Sequence, residues 1–304
     1  MRWLSFAVLL LFALSVTAQD ANKNPNKSEP PILGPHWTHD AAPLHAPPAS
    51  PDMTYHGGPI LPSVTIKAIW WGSSWPTYTG DEISGLDKWY TYVGTTAGGG
   101  GSAYQATVNE YTDNGGQVGT ATTYQGHVID GSPVPKRLST SAVLAEVCKM
   151  VPSPTANAYY PVYIDKGRGH ASYCAYHSWG SCGGKAIEFG FFFKMDGDPG
   201  CDPGSTVGGQ SQGLQAAANV TGHELSETRS DPNGNAWYDS SGAENGDKCA
   251  WTFGGPFVTF LDGTHWKIQG NWSNYDYDHN TGYANSSGQK GCADGTNYPG
   301  PYTK

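Results

Sequence analysis

The residues best suited to chemistry in this chain are His223, Glu224 and Glu227, in the run Val220-Thr-Gly-His-Glu-Leu-Ser-Glu227. Residues four apart share one face of a helix, so the His223 imidazole and the Glu227 carboxylate can converge on a single ion. Glu224 is turned about 100° from His223 and would lie beside that ion, where the general base of a His-Glu-x-x-His zinc protease sits. Here a glutamate replaces the second histidine. A nitrogen donor and a carboxylate on one turn still suit Zn2+, whose catalytic sites mix His with Glu or Asp and keep one position for water. With 10 His and eight Glu in 304 residues, the pattern is expected by chance in roughly one chain in a hundred. The bland alternative is an exposed helix face of capping and ion-pairing groups. Ala216-Ala-Ala218 and the stop at Asp231-Pro232 argue against it, because they describe a buried, sharply ended helix.

A catalytic zinc needs a third protein ligand. Downstream, Asp231 to Asp239 and Glu244-Asn-Gly-Asp247-Lys-Cys249 supply acids on turns that fold back toward the helix end, and either Glu244 or Asp247 can complete the set. Asp231, Asn233, Asn235 and Asp239 also fall at the odd positions of a calcium loop. That loop lacks the central Gly and the closing bidentate Glu, so zinc is the better reading.

The elements that must position these groups follow from periodicity. Gln212 to Arg229 is the clearest helix. Val64 to Trp71 is a β-branched and aromatic run that suits a strand buried on both faces. Asp81 to Val93 has helical spacing, a shorter helical stretch covers Tyr104 to Tyr111, and a further helix runs from about Ser141 to Met150. Strands are expected near Gly119 to Ile129, over Ala158 to Asp165 and over Lys185 to Phe193, with a hairpin turning at Asp262-Gly263. Gly98 to Gly101 reads as a flexible loop, and not a phosphate loop, because no Gly-Lys-Ser/Thr follows. The fold class is therefore α/β or α+β: a single domain over residues 53–304, with a mixed, aromatic-rich sheet flanked by a few helices, one of them carrying the metal motif.

Composition places that domain outside the cell. Only 14% of the chain is charged, where about a quarter is usual, while Gly, Tyr and Trp are abundant, which excludes a helical bundle. Met1 to Ala18 has Arg2, an apolar run and a small-residue cleavage site, and reads as a signal peptide. No other segment is apolar for long enough to span a membrane. A net charge of −9 disfavours nucleic acid as a partner. Six cysteines suit up to three disulfides; Cys174 and Cys182, close in the chain, are one plausible pair. Residues 19–52, with eight prolines, read as a disordered arm or propeptide in which His36, His39 and His45 are tail histidines and not a metal clasp.

Five islands resemble, in order, EXORDIUM or phosphate-induced protein 1 proteins. They are Tyr55-His-Gly-Gly-Pro59 before Ile-Trp-Trp-Gly72; Tyr173-Cys-Ala-Tyr-His177-Ser; His223 to Glu227 with Asp231-Pro232; Ala236-Trp-Tyr238; and Glu244 to Cys249. The likeness runs from about Met53 to Cys292, whereas the Pro-rich arm and the Gly/Asn/Tyr-rich tail depart from the plant pattern. The resemblance implies an extracellular, cell-wall-associated protein, linked in plants to growth control. It implies no particular reaction. The islands add His177, as a metal ligand or a donor to a developing oxyanion, and His56, in a Gly-Gly turn where backbone can approach a ligand. His265 and His279 read as structural.

The expectation is a secreted, monomeric zinc hydrolase, most simply an endopeptidase with Glu224 as general base and His177 assisting. Its metal ligands come from His223, Glu227, Glu244 and Asp247, and its partner is a peptide or protein substrate. The alternative is a non-catalytic binding protein for a cell-wall polymer or sugar, with aromatic platforms and a structural metal. A third reading pairs carboxylates from Glu224, Glu227 and Asp247 as a glycosidase.

Overall fold

A computed structural model describes residues 29–41, 51–94 and 100–296; the expected signal peptide lies outside the described residues. The Val64–Trp71 run is a strand buried along most of its length, and it sits inside a mixed six-stranded sheet. The strands are β1 (Leu33–Trp37), β2 (Val64–Trp71), β3 (Thr122–Asp130), β4 (Tyr159–Ile164), β5 (Tyr173–Cys182) and β6 (Lys185–Phe192). Their spatial order is β1-β5-β6-β4-β2-β3. Strands β3, β2, β4 and β6 are mutually parallel, β5 is antiparallel to β6, and β1 is antiparallel to β5.

Period-two alternation sorts the core onto the two faces of this sheet. Ile66, Ala68, Trp70, Tyr159 and Tyr163 face one cluster, which they share with α1 (Glu82–Val93) and α4 (Gln212–Ser230). Ile69, Trp71, Tyr160, Val162 and Ile164 face the other, under α3 (Thr140–Met150). Helix α4 is buried from Gly213 to Ser230, so a one-sided amphipathic pattern is not required of it. Ser211 caps its N-terminus by accepting the Leu214 N–H. Gly222 lets the helix come close to its neighbour, since a Cβ there would stand 2.6 Å from the Tyr104 hydroxyl oxygen. Tyr90, Tyr163 and Thr221 form a buried hydroxyl chain, each contact 2.7 Å, that ties α1, β4 and α4 together.

The structure is a single α+β domain, as the element pattern requires, with four corrections. Residues 33–37 form edge strand β1 and are not a disordered arm, although the remainder of residues 19–52 is described only in part. Tyr173–Cys182 is a ten-residue strand where no strand was expected. The helix expected over Tyr104 to Tyr111 is instead α2 (Gly100–Ala106), which takes in the end of the expected Gly98–Gly101 loop. The disulfides are Cys148–Cys182, Cys174–Cys201 and Cys249–Cys292. Cys174 and Cys182 stand at opposite ends of β5, about 26 Å apart at the strand rise, so they cannot pair. No helix among the described residues is long and apolar enough to cross a membrane, and three disulfides are compatible with an exported protein.

Candidate metal centre

Three pieces of chain converge under β1. Helix α4 supplies His223, Glu224 and Glu227. Strand β5 supplies His177, which alternation points to the α4 face along with Ala175, while Tyr176 points to the α3 side. The loop after α4 supplies Glu244 and Asp247.

That loop is returned to the helix by a sequence of local bonds. Asp231 ends α4, and its Oδ1 accepts the N–H groups of Asn235 and Ala236 at 2.6 Å. A two-stranded ribbon pairs Trp237–Tyr238 with Thr54–Tyr55. Asp239 accepts the Ser241 and Ala243 N–H groups and pairs with Lys248 at 2.7 Å. These bonds make Asp231 Oδ1 and Asp239 turn acceptors, and the segment closes as a turn and not as a cation loop. Asn245 is then bonded to Ser226 and Ser230 of α4, and Cys249–Cys292 anchors the end of the segment.

The result is two three-donor sets that share Glu227. His223 Nε2 lies 3.2 Å from Glu227 Oε1 and 3.8 Å from Asp247 Oδ1. His177 Nε2 lies 2.9 Å from Glu244 Oε2 and 3.8 Å from Glu227 Oε2. Within each set the donor atoms lie within 4.8 Å of one another. Glu244 and Asp247, alternatives in the sequence, therefore both belong, and His177 joins His223 as the second nitrogen-bearing member of the cluster. His56 does not: it stacks on Tyr238 at 3.6 Å on the exposed ribbon. His265 contacts Thr259 and Phe257, and His279 contacts Tyr275, so both are structural.

Burial governs the electrostatics. His177, His223, Glu224 and Glu227 have no exposure, and only Asp247, at 20%, opens toward solvent. Burial pushes the His177 imidazole down to about 3 and the His223 imidazole down to about 4. It raises the carboxyls of Glu224, Glu227 and Glu244 well above their ordinary range, with neighbouring acids adding to the shift of Glu224 and Glu244. Asp247 is pushed up to about 7, first by burial and then by the charge of Glu227. Burial thus favours the neutral forms, and among the described residues none of these carboxylates pairs with Lys or Arg to offset it. Even so, Glu227 Oε2 and His223 Nε2 remain buried without a hydrogen-bond partner, as do both Glu224 oxygens. A divalent cation is the counter-charge this donor set fits, with imidazole nitrogen and carboxylate oxygen in the mixture zinc accepts.

Sequence reasoning missed four supporting residues. A Cβ on Gly246 would stand 2.8 Å from His223 Nδ1 and 2.9 Å from Glu227 Oε1, so only glycine lets the loop pass. Gln269 donates through Nε2 to the Gly246 carbonyl and to His223 Nδ1, and its Oε1 accepts the Trp251 N–H. The remaining two, Gly34 and His36, come from β1. The backbone of Gly34 faces His223, and that of His36 faces Glu224. The His36 ring meets His223 edge-on at 4.4 Å and bonds Gln269 Oε1 at 2.9 Å. The tail histidine expected from composition is therefore a buried member of the centre. Glycine in the Glu-Asn-Gly-Asp turn was a visible signal for Gly246; nothing local marks Gln269.

The chain matches no family model, no curated protein and no solved structure.

Proposed function

We propose that this protein is an exported zinc-dependent hydrolase acting on peptides, with Glu224 as general base. The observation that carries this reading is the buried cluster of carboxylates and two neutral histidines, with unpartnered donor atoms and, among the described residues, no cationic side chain to balance it. His223, Glu227 and Asp247 would hold the ion on one side; His177 and Glu244 stand opposite, sharing Glu227. When bound, such an ion supplies Lewis-acid polarisation of a carbonyl and an activated water. Glu224, which the charge of a bound ion would ionise, could then take the proton of the attacking water and pass it to the leaving nitrogen. His177, 2.9 Å from Glu244, orients that carboxylate or stabilises developing negative charge. The motif islands shared with EXORDIUM proteins support an extracellular setting.

Complete burial of four of these side chains favours one second reading, a structural ion in a non-catalytic wall-binding protein. Metal analysis of purified protein tests the first step. Wild type is expected to retain zinc, and His223→Ala and Glu227→Ala to lose it; a wild type without zinc removes the hydrolase reading. Glu224→Gln separates the two functions. A hydrolase keeps its metal and loses at least about 100-fold in turnover of a peptide library, whereas a wall-binding protein keeps both metal and ligand affinity.

A further inference from the structure

The side chains of the centre are closed off by β1, and β1 is held unlike the other strands. Of Leu33–Trp37 only His36 is fully buried, whereas β4 is buried throughout. Its pairing with β5 is irregular, with register shifts on either side of His36. Gly34 takes φ of +43°, and a Cβ there would stand 1.9 Å from Glu227 Oε2 and 2.7 Å from Glu244 Oε2. Pro35 contributes no N–H to the ladder. At Gly34 the segment thus presents its backbone to the Glu227 and Glu244 carboxylates at a contact distance that excludes any side chain.

Its anchors lie mainly at its two ends. Glu29 accepts from the Ser141 N–H at 2.9 Å and from the Ser141 hydroxyl at 2.6 Å, at the start of α3. Ser178 donates to the Pro31 carbonyl and Trp251 Nε1 to the Trp37 carbonyl. Without β1, strand β5 would be a sheet edge with unpaired N–H and C=O groups beside the catalytic candidates. Such an edge is a template for an added extended peptide.

We propose that the edge of β5 facing α4 is a peptide-binding groove, that Leu33–Trp37 fills it as an internal occupant, and that its external ligand is an extended peptide carrying glycine where Gly34 sits. The antiparallel register sets Leu33 against His177 and Trp37 against Tyr173, so the ligand runs antiparallel to β5 with its glycine beside Glu227. The occupant also acts on the centre through Gln269. His36 donates to Gln269 Oε1, which keeps the amide N–H directed at His223 Nδ1. That arrangement leaves the proton on His223 Nε2, the nitrogen that faces Glu227, and this nitrogen must release it before it can bind an ion. Departure of β1 removes one of the three bonds, from His36, from the Trp251 N–H and to the Gly246 carbonyl, that hold Gln269 in this orientation. The proposal rests on the hydrolase reading only for what happens to the peptide after it binds.

Two measurements on the full chain test it. In hydrogen exchange of wild type, the amides of Leu33, Gly34, His36, Trp37 and Thr38 are expected to exchange at least about 100-fold faster than those of β4, by an opening short of global unfolding. Equal protection makes β1 an integral strand and overturns the proposal. The second uses a labelled peptide spanning Pro30 to Asp40. Gly34→Val, which unseats the occupant, and Glu29→Ala, which loosens its anchor outside the groove, should bind the peptide at least tenfold tighter than wild type does. A peptide with valine in place of that glycine should not bind. If Gly34→Val does not fold, Glu29→Ala decides. A folded variant that takes no more peptide than wild type overturns the proposal. Peptide capture by protein that retains no zinc would support the groove and overturn the hydrolase reading, and zinc retention without capture would do the reverse.

Discussion

Glycine at position 246 matters for a reason that a helical wheel of α4 does not reveal. Its missing Cβ is the space in which His223 and Glu227 stand. Gly246→Ala is expected to cost about 1–3 kcal/mol of stability through overpacking and to lower zinc retention at least tenfold. Gly255→Ala, whose Cβ would meet only the Phe257 carbonyl at 4.0 Å, should change neither. Thermal melts and metal titration of both variants check this, and equal effects would mean that Gly246 serves the backbone and not the cluster. At the same scale, Glu224 differs from its helix neighbours. Glu227 accepts the Asp247 N–H at 2.9 Å, whereas Glu224 lies fully buried against the backbone of His36.

At the scale of elements, the centre depends on how the Glu244–Cys249 segment is returned to α4. Cys249–Cys292 pins the end of that segment to the last strand pair of the domain, whereas Cys148–Cys182 joins α3 to the far end of β5. Removing either bridge by paired Cys→Ser substitution should cost about 2–4 kcal/mol, because each closes a long loop. The two losses should differ in function. Without Cys249–Cys292, zinc affinity is expected to fall together with stability; without Cys148–Cys182, it should stay within about twofold. Urea denaturation with metal titration measures both, and a site equally sensitive to either bridge would refute the local role of the Cys249 anchor.

For the whole molecule, buried carboxyls outside the centre set the response to pH. Burial raises Glu188, on β6, to about 8, and burial with a bond to Asp196 raises Glu82 to about 8, from an ordinary value of 4.5. Between those limits the folded chain holds protons on these two carboxyls that the unfolded chain has released, so their contribution to stability is greatest below about pH 4.5 and is lost as pH rises toward 8. Glu188 is 4% exposed and its Oε2 has no partner, which makes it the cleaner test. Glu188→Gln should match wild type near pH 4.5 and be more stable at pH 8 by on the order of 2–4 kcal/mol. Denaturation curves at the two pH values check the sign, and a variant less stable at pH 8 would contradict it.

Much of this molecule could be read from local order in the sequence. The β2 run, the span of α4 to within a residue, the His223 and Glu227 pairing and the acids at 244 and 247 all follow from period, capping and spacing, which act over a few residues. His177 also stood out in the sequence, in the Tyr173-Cys-Ala-Tyr-His177-Ser segment, though not as part of a strand. Tertiary structure decided what depends on distant chain. It chose the cysteine partners, made both Glu244 and Asp247 members of the cluster, and brought Gln269 to His223 across 46 positions. It also seated Leu33–Trp37 over the centre, although Gly34 and Pro35 lower that segment's own strand tendency. A strand so weak in itself forms because β5 offers it an unpaired edge and α4 offers glycine the only fit, and neither is encoded nearby in the sequence.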